Sequence, residues 1–338
     1  SLVHSRYPDG RVPARKFKVQ FARMGEPAFN PAVLDVLRQM PGRYDAPGLM
    51  PCLSTVAPKG SEDFFEELEE GAEDMSLAKA AQKANNPVSD AWLLITQNDN
   101  TVLDTPAGSK WQHSVTLQPV MPVPIMDGKW NLVNHIVTGV VSSPVAGDFD
   151  SPNFFDQRTT GNTDTVFFSL AAPNRDDGWI WGVGPTFILP TATEDVLGQE
   201  KWSAGPAGLL VRLGNSSGDP GSIESWNIGA LAQQWWDFAG DSDRDDVNQS
   251  DIQYFINYKY DATRLIGMTP NIRINWEESG SDRFTVPVGL GTIGLFRWGD
   301  FPVRYGVEVQ YYVNQPDDFG PDWNLKLFIA PIAPNPFK

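Results

Sequence analysis

From about Ser250 to Pro334 the chain alternates, residue by residue, between two kinds of surface. Ile252, Tyr254, Ile256, Tyr258 and Tyr260 interleave with Gln253, Phe255, Asn257 and Lys259. Ile266, Met268, Ile272, Ile274 and Trp276 then interleave with Thr269, Asn271, Arg273, Asn275 and Glu277. Val303, Tyr305, Val307, Val309, Tyr311 and Val313 stand against Arg304, Gly306, Glu308, Gln310 and Tyr312. Successive side chains of a strand point to opposite faces, so this period of two means one greasy face and one wet face. The segments run about 10 residues, the length that crosses a membrane when tilted. Arg273, Glu277, Arg304 and Glu308 on the wet face would be costly in the core of a soluble sandwich. They suit the lumen of a membrane barrel.

Composition narrows the class further. The formal charge is −16, which argues against nucleic acid as a partner. Acidic loops are compatible with an outer membrane, where divalent cations bridge them to lipopolysaccharide. Aromatics make up 12 % of the chain, with 12 Trp and 19 Phe, enough for interfacial girdles. No apolar run approaches the roughly 20 residues of a membrane helix, so a membrane-spanning form must be a closed barrel. Cys52 is the one cysteine and is read as a free thiol. No leader sequence is visible, and Ser1 is compatible with a mature terminus after cleavage.

The chain divides into an N-terminal extension, 1–85, and a barrel, 86–338. Residues 1–60 are rich in Pro, Gly and basic groups, with a short helix expected at Asn30–Gln39. A second helix is expected from Ser61 to about Lys83, acidic first and basic last, as the helix dipole favours. The extension is periplasmic or packed into the barrel mouth; a partly disordered tail is the plainer alternative. Twelve strand-like segments follow, beginning near Ala91, Lys110, Trp130, Gly161, Gly178, Lys201, Ser225, Ser250, Arg264, Asp282, Pro302 and Trp323. Tight connections alternate with mostly longer polar ones, and Gly214–Glu224 breaks that rhythm. The even count puts both barrel termini on the tight-turn, periplasmic side. Trp130, Trp202, Trp226, Trp235, Trp236, Trp276 and Trp323 fall at segment ends, where girdles belong. Pro119, Pro185, Pro206, Pro270, Pro287 and Pro331 fall inside segments, and each should mark a bulge or a strand end.

Gly178-Trp179-Ile180-Trp181-Gly182-Val183-Gly184-Pro185-Thr186-Phe187 leads into Leu189-Pro190-Thr191-Ala192-Thr193 and then Lys201-Trp202-Ser203-Ala204-Gly205-Pro206. With Gly229-Ala230-Leu231, Trp235-Trp236-Asp237-Phe238-Ala239-Gly240-Asp241 and Gly320-Pro321-Asp322-Trp323, these resemble the bacterial outer-membrane family of MetA-pathway phenol-degradation transporters, also misnamed neuromedin U. The resemblance covers about residues 76–338. It implies a membrane barrel that passes small, often aromatic or hydrophobic molecules. The end of the chain departs from the usual barrel-assembly signal, because Phe337 is penultimate rather than last.

Arg212, Lys259, Arg273, Arg283, Arg304 and Lys326, with Asp237, Glu277 and Glu308, are expected on the lumen face. Phe255, Tyr312 and Phe328 are the apolar lumen candidates. Rings of charge in an open lumen would set ion preference; the same charges, paired, would plug a narrow barrel. Asp241, Asp243 and Asp245 have oxygen-ligand spacing, but the loop lacks a turn glycine and a twelfth-position Glu, so a solvated acidic loop is expected. Hydrolase chemistry needs Ser and His on one face. His113 and Ser114 are adjacent, His135 has no serine two residues away, and His4 lies in the extension. No cofactor is implied and no enzyme is expected. The expected partners are outer-membrane lipid, lipopolysaccharide and a small-molecule permeant. A second copy or a periplasmic protein bound through the extension is the further option. The functional expectation is therefore an outer-membrane channel for passive uptake or efflux. The alternative is a plugged structural or interaction barrel.

Overall fold

The structure is a computed structural model that describes residues 17–21, 32–43, 49–53, 77–89, 91–106, 108–145, 157–175, 178–214, 218–299 and 301–337. The chain forms two compact units, Ser1–Ser76 and Leu77–Lys338. In the first, β1 (Phe17–Phe21) and β2 (Leu49–Leu53) pair in parallel, with a helix at Ala32–Arg43 between them. The sequence anticipates that helix but not the two short strands, which are too brief to display a period. Of the helix expected from Ser61, residues 61–76 lie outside the described residues, and helix is found over 77–85. That stretch is Leu-Ala-Lys-Ala-Ala-Gln-Lys-Ala-Asn, strong helix formers up to the closing Asn85, and Pro87 follows its end. Cys52 lies in β2, paired in register with Gln20.

The second unit is a closed antiparallel barrel. Its strands are β3 (Trp92–Leu103), β4 (Lys110–Ile125), β5 (Trp130–Val145), β6 (Gln157–Asn162), β7 (Thr165–Pro173), β8 (Trp179–Leu189), β9 (Lys201–Arg212) and β10 (Trp226–Gly240). There follow β11 (Asn248–Lys259), β12 (Leu265–Met268), β13 (Asn271–Asn275), β14 (Phe284–Trp298), β15 (Phe301–Asn314) and β16 (Pro321–Ala333). Fourteen segments make twelve staves: β6 and β7 share one beside β5, and β12 and β13 share one beside β11. The ring closes where β16 pairs β3, from Pro321↔Leu103 to Ala333↔Trp92. Closure matters because an open edge would leave unpaired backbone groups in hydrocarbon.

The outer face is apolar and unburied. Trp298 is 70 % exposed, Leu290 68 % and Phe238 65 %, with Val183, Leu210, Val307 and Val309 in the belt between. A soluble protein does not expose a continuous surface of this kind. The outer aromatics form two tiers. Trp130, Trp179, Trp181, Trp226, Trp298 and Phe301 lie toward the tight-turn end. Trp111, Trp202, Trp236, Trp276, Tyr311 and Trp323 lie toward the long-loop end. This is the architecture of a bacterial outer-membrane barrel. Trp235 corrects the girdle expectation: it turns inward, buried, and donates from Nε1 to Thr186 Oγ1 at 3.0 Å.

Pro119, Pro185, Pro206, Pro270, Pro287 and Pro331 each sit at an interruption of a ladder, whereas Pro122 and Pro124 of β4 stay in continuous register with β5. Pro270 separates β12 from β13, and the register shifts at Pro287. The β4–β5, β7–β8, β9–β10 and β16–β3 ladders skip the pairs around Pro119, Pro185, Pro206 and Pro331. At the tight β4–β5 turn, Met126, Asp127 and Gly128 all take positive φ (51°, 56°, 76°), the twist a short hairpin needs.

Candidate lumen site

Inside the barrel the two halves differ in chemistry. Toward the tight turns the inner faces of β5, β7, β8, β9 and β10 supply Val133, Phe168, Leu170, Ile180, Leu209, Val211 and Leu231 to one apolar cluster. The 77–89 segment completes that end. Ala81 and Ala84 of the helix pack with Leu93, Leu295 and Ile332, while Val88 is 0 % exposed within the opposite cluster. Small alanine side chains let the helix approach the wall closely. Polar anchors fix the register: Asn131 Nδ2 donates to Val88 O at 2.9 Å, and Asn86 Nδ2 to Arg175 O at 2.8 Å. A single segment therefore bridges strands on both sides of the lumen.

Toward the long loops the lumen is polar and hollow. Two cavities there measure about 760 and 560 Å³. The smaller is walled by a hydrogen-bonded row. Gln97 donates to Asp99 (2.7 Å), Asn324 donates to Asp99 (2.8 Å) and to Gln310 (3.1 Å), and Gln310 donates to Glu308 (2.9 Å). Glu308 accepts from Thr269 N and Oγ1 at 3.0 and 2.9 Å, and Lys326 Nζ donates to Thr269 O at 3.0 Å. Glu308 and Lys326 thus bond the backbone at Thr269, where the β12–β13 break leaves it unpaired. That accounts for their burial without an ion pair between them. Below lies a third, mostly apolar chamber of about 180 Å³. Gln97 and Lys326 face both this chamber and the polar cavity above it.

The expected lumen residues separate into groups. Arg273 and Arg283 line the cavity of about 760 Å³; Arg273, Tyr312 and Lys326 line that of about 560 Å³. Phe255, Arg304, Lys326 and Phe328 line the lower chamber, and Glu308 is buried on the inner face. Asp237 and Lys259 have inward parity but are engaged at the rims. Asp237 pairs with Lys201 at 3.6 Å and accepts from Val247 N, and Lys259 donates to Gly214 O at 3.0 Å. Two placements differ from the sequence expectation. Arg212 shares the outward parity of its register partners Trp179 and Ile228 and pairs with Glu224 at 2.5 Å, because a one-residue shift in β9 reverses the face. Glu277 is exposed in the turn after β13, beyond the last inward position. In the acidic loop, the Asp241 carboxylate accepts from Asp243 N at 2.9 Å, a local turn. Among the described residues no group of three or more His, Cys, Asp or Glu could hold a metal ion.

Asp99 and Asn324 also line the smaller upper cavity, His135 lines the lower chamber and Lys201 is buried near the rim, positions that no pattern within a single strand marks out. An outer-face row was also hidden, because its members lie on three strands. Asn100, His113 and Ser142 are successive register partners, with His113 Nδ1 2.8 Å from Asn100 Oδ1. Ser142 Oγ, however, accepts from Arg158 Nε and from Thr160 Oγ1, both at 2.9 Å. With both lone pairs engaged the hydroxyl is a poor nucleophile, and the row reads as a satisfied polar patch near the membrane surface.

No family model and no curated protein matches the chain. Among solved structures, the COG4313 outer membrane channel from Pseudomonas putida F1 is similar to it. The TM-score is 0.52 and the identity 14 %, with 72 % of this chain and 96 % of that chain covered. Outer membrane phospholipase A from Escherichia coli aligns at a TM-score of 0.36 and 11 % identity, over 72 % of this chain and 90 % of that chain. The first likeness is one of fold, and the second adds nothing to it.

Proposed function

We propose that this protein is an outer-membrane channel for small molecules, with residues 77–89 setting how far its lower end is open. The observation that carries the reading is the hollow interior: the two upper cavities share Arg273 and Thr285, and the smaller of them adjoins the lower apolar chamber through a wall of Gln97 and Lys326. A barrel built only as a scaffold gains by filling such space, since empty volume forfeits packing. Small aromatic or hydrophobic cargo fits the lower chamber, whose wall includes Phe168, Phe255 and Phe328. The resemblance to phenol-degradation transporters supports the same cargo. The second reading is a plugged structural or interaction barrel, favoured by the complete burial of Val88 among strands of the opposite wall. A second copy or a periplasmic protein held through residues 1–85 would be its partner.

The test is single-channel conductance of the refolded full chain in planar bilayers. Discrete current steps, even brief ones, support the channel. Silence from protein that is folded by its gel mobility, persisting when Val88 is replaced by Asp, refutes it and leaves the plugged barrel.

A further inference from the structure

The lower chamber contains a cation with nothing to neutralise it. Arg304 projects from β15 into the space that Phe328, Phe255, Phe168 and His135 enclose. Among the described residues its guanidinium has no ion pair, and its Nε is buried without a hydrogen-bond partner. The guanidinium lies over the Phe328 ring, with Cζ 5.6 Å from the centroid. Gly306, opposite Phe328, makes that placement possible, because a Cβ there would overlap the ring. A cation over an aromatic face is partly compensated, but the in-plane N–H fork is left free. Intramembrane charges are costly and ordinarily paired. Among the described residues no carboxylate lines the chamber. The nearest by register is Glu308, the partner of Lys326, and it is bonded to Thr269 and Gln310. The buried Nε2 of His135, on the same chamber, also lacks a partner.

We propose that the lower chamber binds a small organic anion, a carboxylate carried on a single aromatic ring. The fork of Arg304 takes the carboxylate in bidentate fashion, and the ring lies among the phenylalanines. The size agrees: a cavity of about 150 Å³ lined by apolar side chains accepts benzene, and this one has about 180 Å³. Lys326, facing both compartments, offers a second positive charge on the way down from the polar cavity. The inference rests on the channel reading for access to the chamber, and its test is separate.

Benzoate is titrated calorimetrically into the full chain in lipid nanodiscs at neutral pH. Benzamide serves as the uncharged isostere and acetate as the anion without a ring. Benzoate is expected to bind about 10- to 100-fold more tightly than benzamide, the range of a charge-assisted hydrogen-bonded pair. Arg304→Met should abolish the preference for benzoate over benzamide, with the compact, heat-modifiable band on gels reporting an intact fold. Arg304→Lys should keep part of the preference. Equal binding of benzoate and benzamide to the unaltered protein overturns the proposal, as does a preference that survives Arg304→Met. Acetate binding as tightly as benzoate overturns the aromatic part. A barrel that is silent in bilayers yet retains an Arg304-dependent preference sinks the channel and keeps the site. Steady conductance without that preference does the reverse.

Discussion

Loosening Val88 should raise conductance, and the size of the effect can be worked from the packing. Val88 is fully buried in the cluster that includes Val133, Phe168, Leu170 and Leu209, and its carbonyl accepts from Asn131. Val88→Ala removes two carbon groups at about 0.8 kcal/mol each, plus a cavity contribution, for a total of about 2 kcal/mol. Because 1.4 kcal/mol is a factor of ten, the docked-to-released ratio of the segment should fall about 30-fold. Val88→Asp loses the same burial and adds an unpaired carboxylate among apolar side chains, costing several kcal/mol more. Planar-bilayer recordings should therefore rank the variants. Intact protein shows brief or small openings, the alanine variant longer ones, and the aspartate variant a sustained larger level. Limited proteolysis within 77–89 gives the independent readout of release. If that segment becomes cleavable in Val88→Asp while conductance stays at the parent level, it does not control the opening, and the reasoning fails.

Two further outcomes test the barrel itself. A Cβ at Gly184 would overlap the Ser169 carbonyl, whereas one at Gly208 meets nothing within 4 Å. Gly184→Val should thus abolish the compact, heat-modifiable form on gels while Gly208→Ala leaves it unchanged; equal behaviour would contradict the inner-wall packing. At the tight turn after β11, partial burial pushes the Asp261 carboxyl up, but hydrogen bonds from Thr263 and Arg264 outweigh it and hold the group below its ordinary range. Its stabilisation is then fully present above the unfolded value of about 3.9 and lost as pH falls through the lower folded value. Asp261→Asn should lower the thermal midpoint slightly at neutral pH, and the gap should close in strong acid. A gap that persists there would rule out ionisation as its source.

The barrel was legible because a strand's period of two converts directly into two faces. In β8, Trp179, Trp181 and Val183 point to lipid, and Ile180, Gly182 and Thr186 point inward, as their alternation requires. Strand count, closure and the proline breaks follow from the same local rules. Parity fixes a face only when the strand's register is known, and Arg212 and Trp235 each lie one residue from the phase that the local pattern suggests. The first unit's two strands, five residues each, carry too few alternations to be read at all.

The sequence by itself determined that this chain crosses a membrane as an antiparallel barrel, since alternation, turn length and aromatic placement are all local. Only the tertiary structure decided what the lumen contains. Arg304 on β15, Phe328 on β16, His135 on β5 and Val88 before the first barrel strand meet across distances in sequence that no periodicity encodes. Whether an inward charge is paired, bonded to a broken backbone like Glu308, or left facing a chamber like Arg304 depends on which strands curve round to oppose it. That is set by closure of the whole ring.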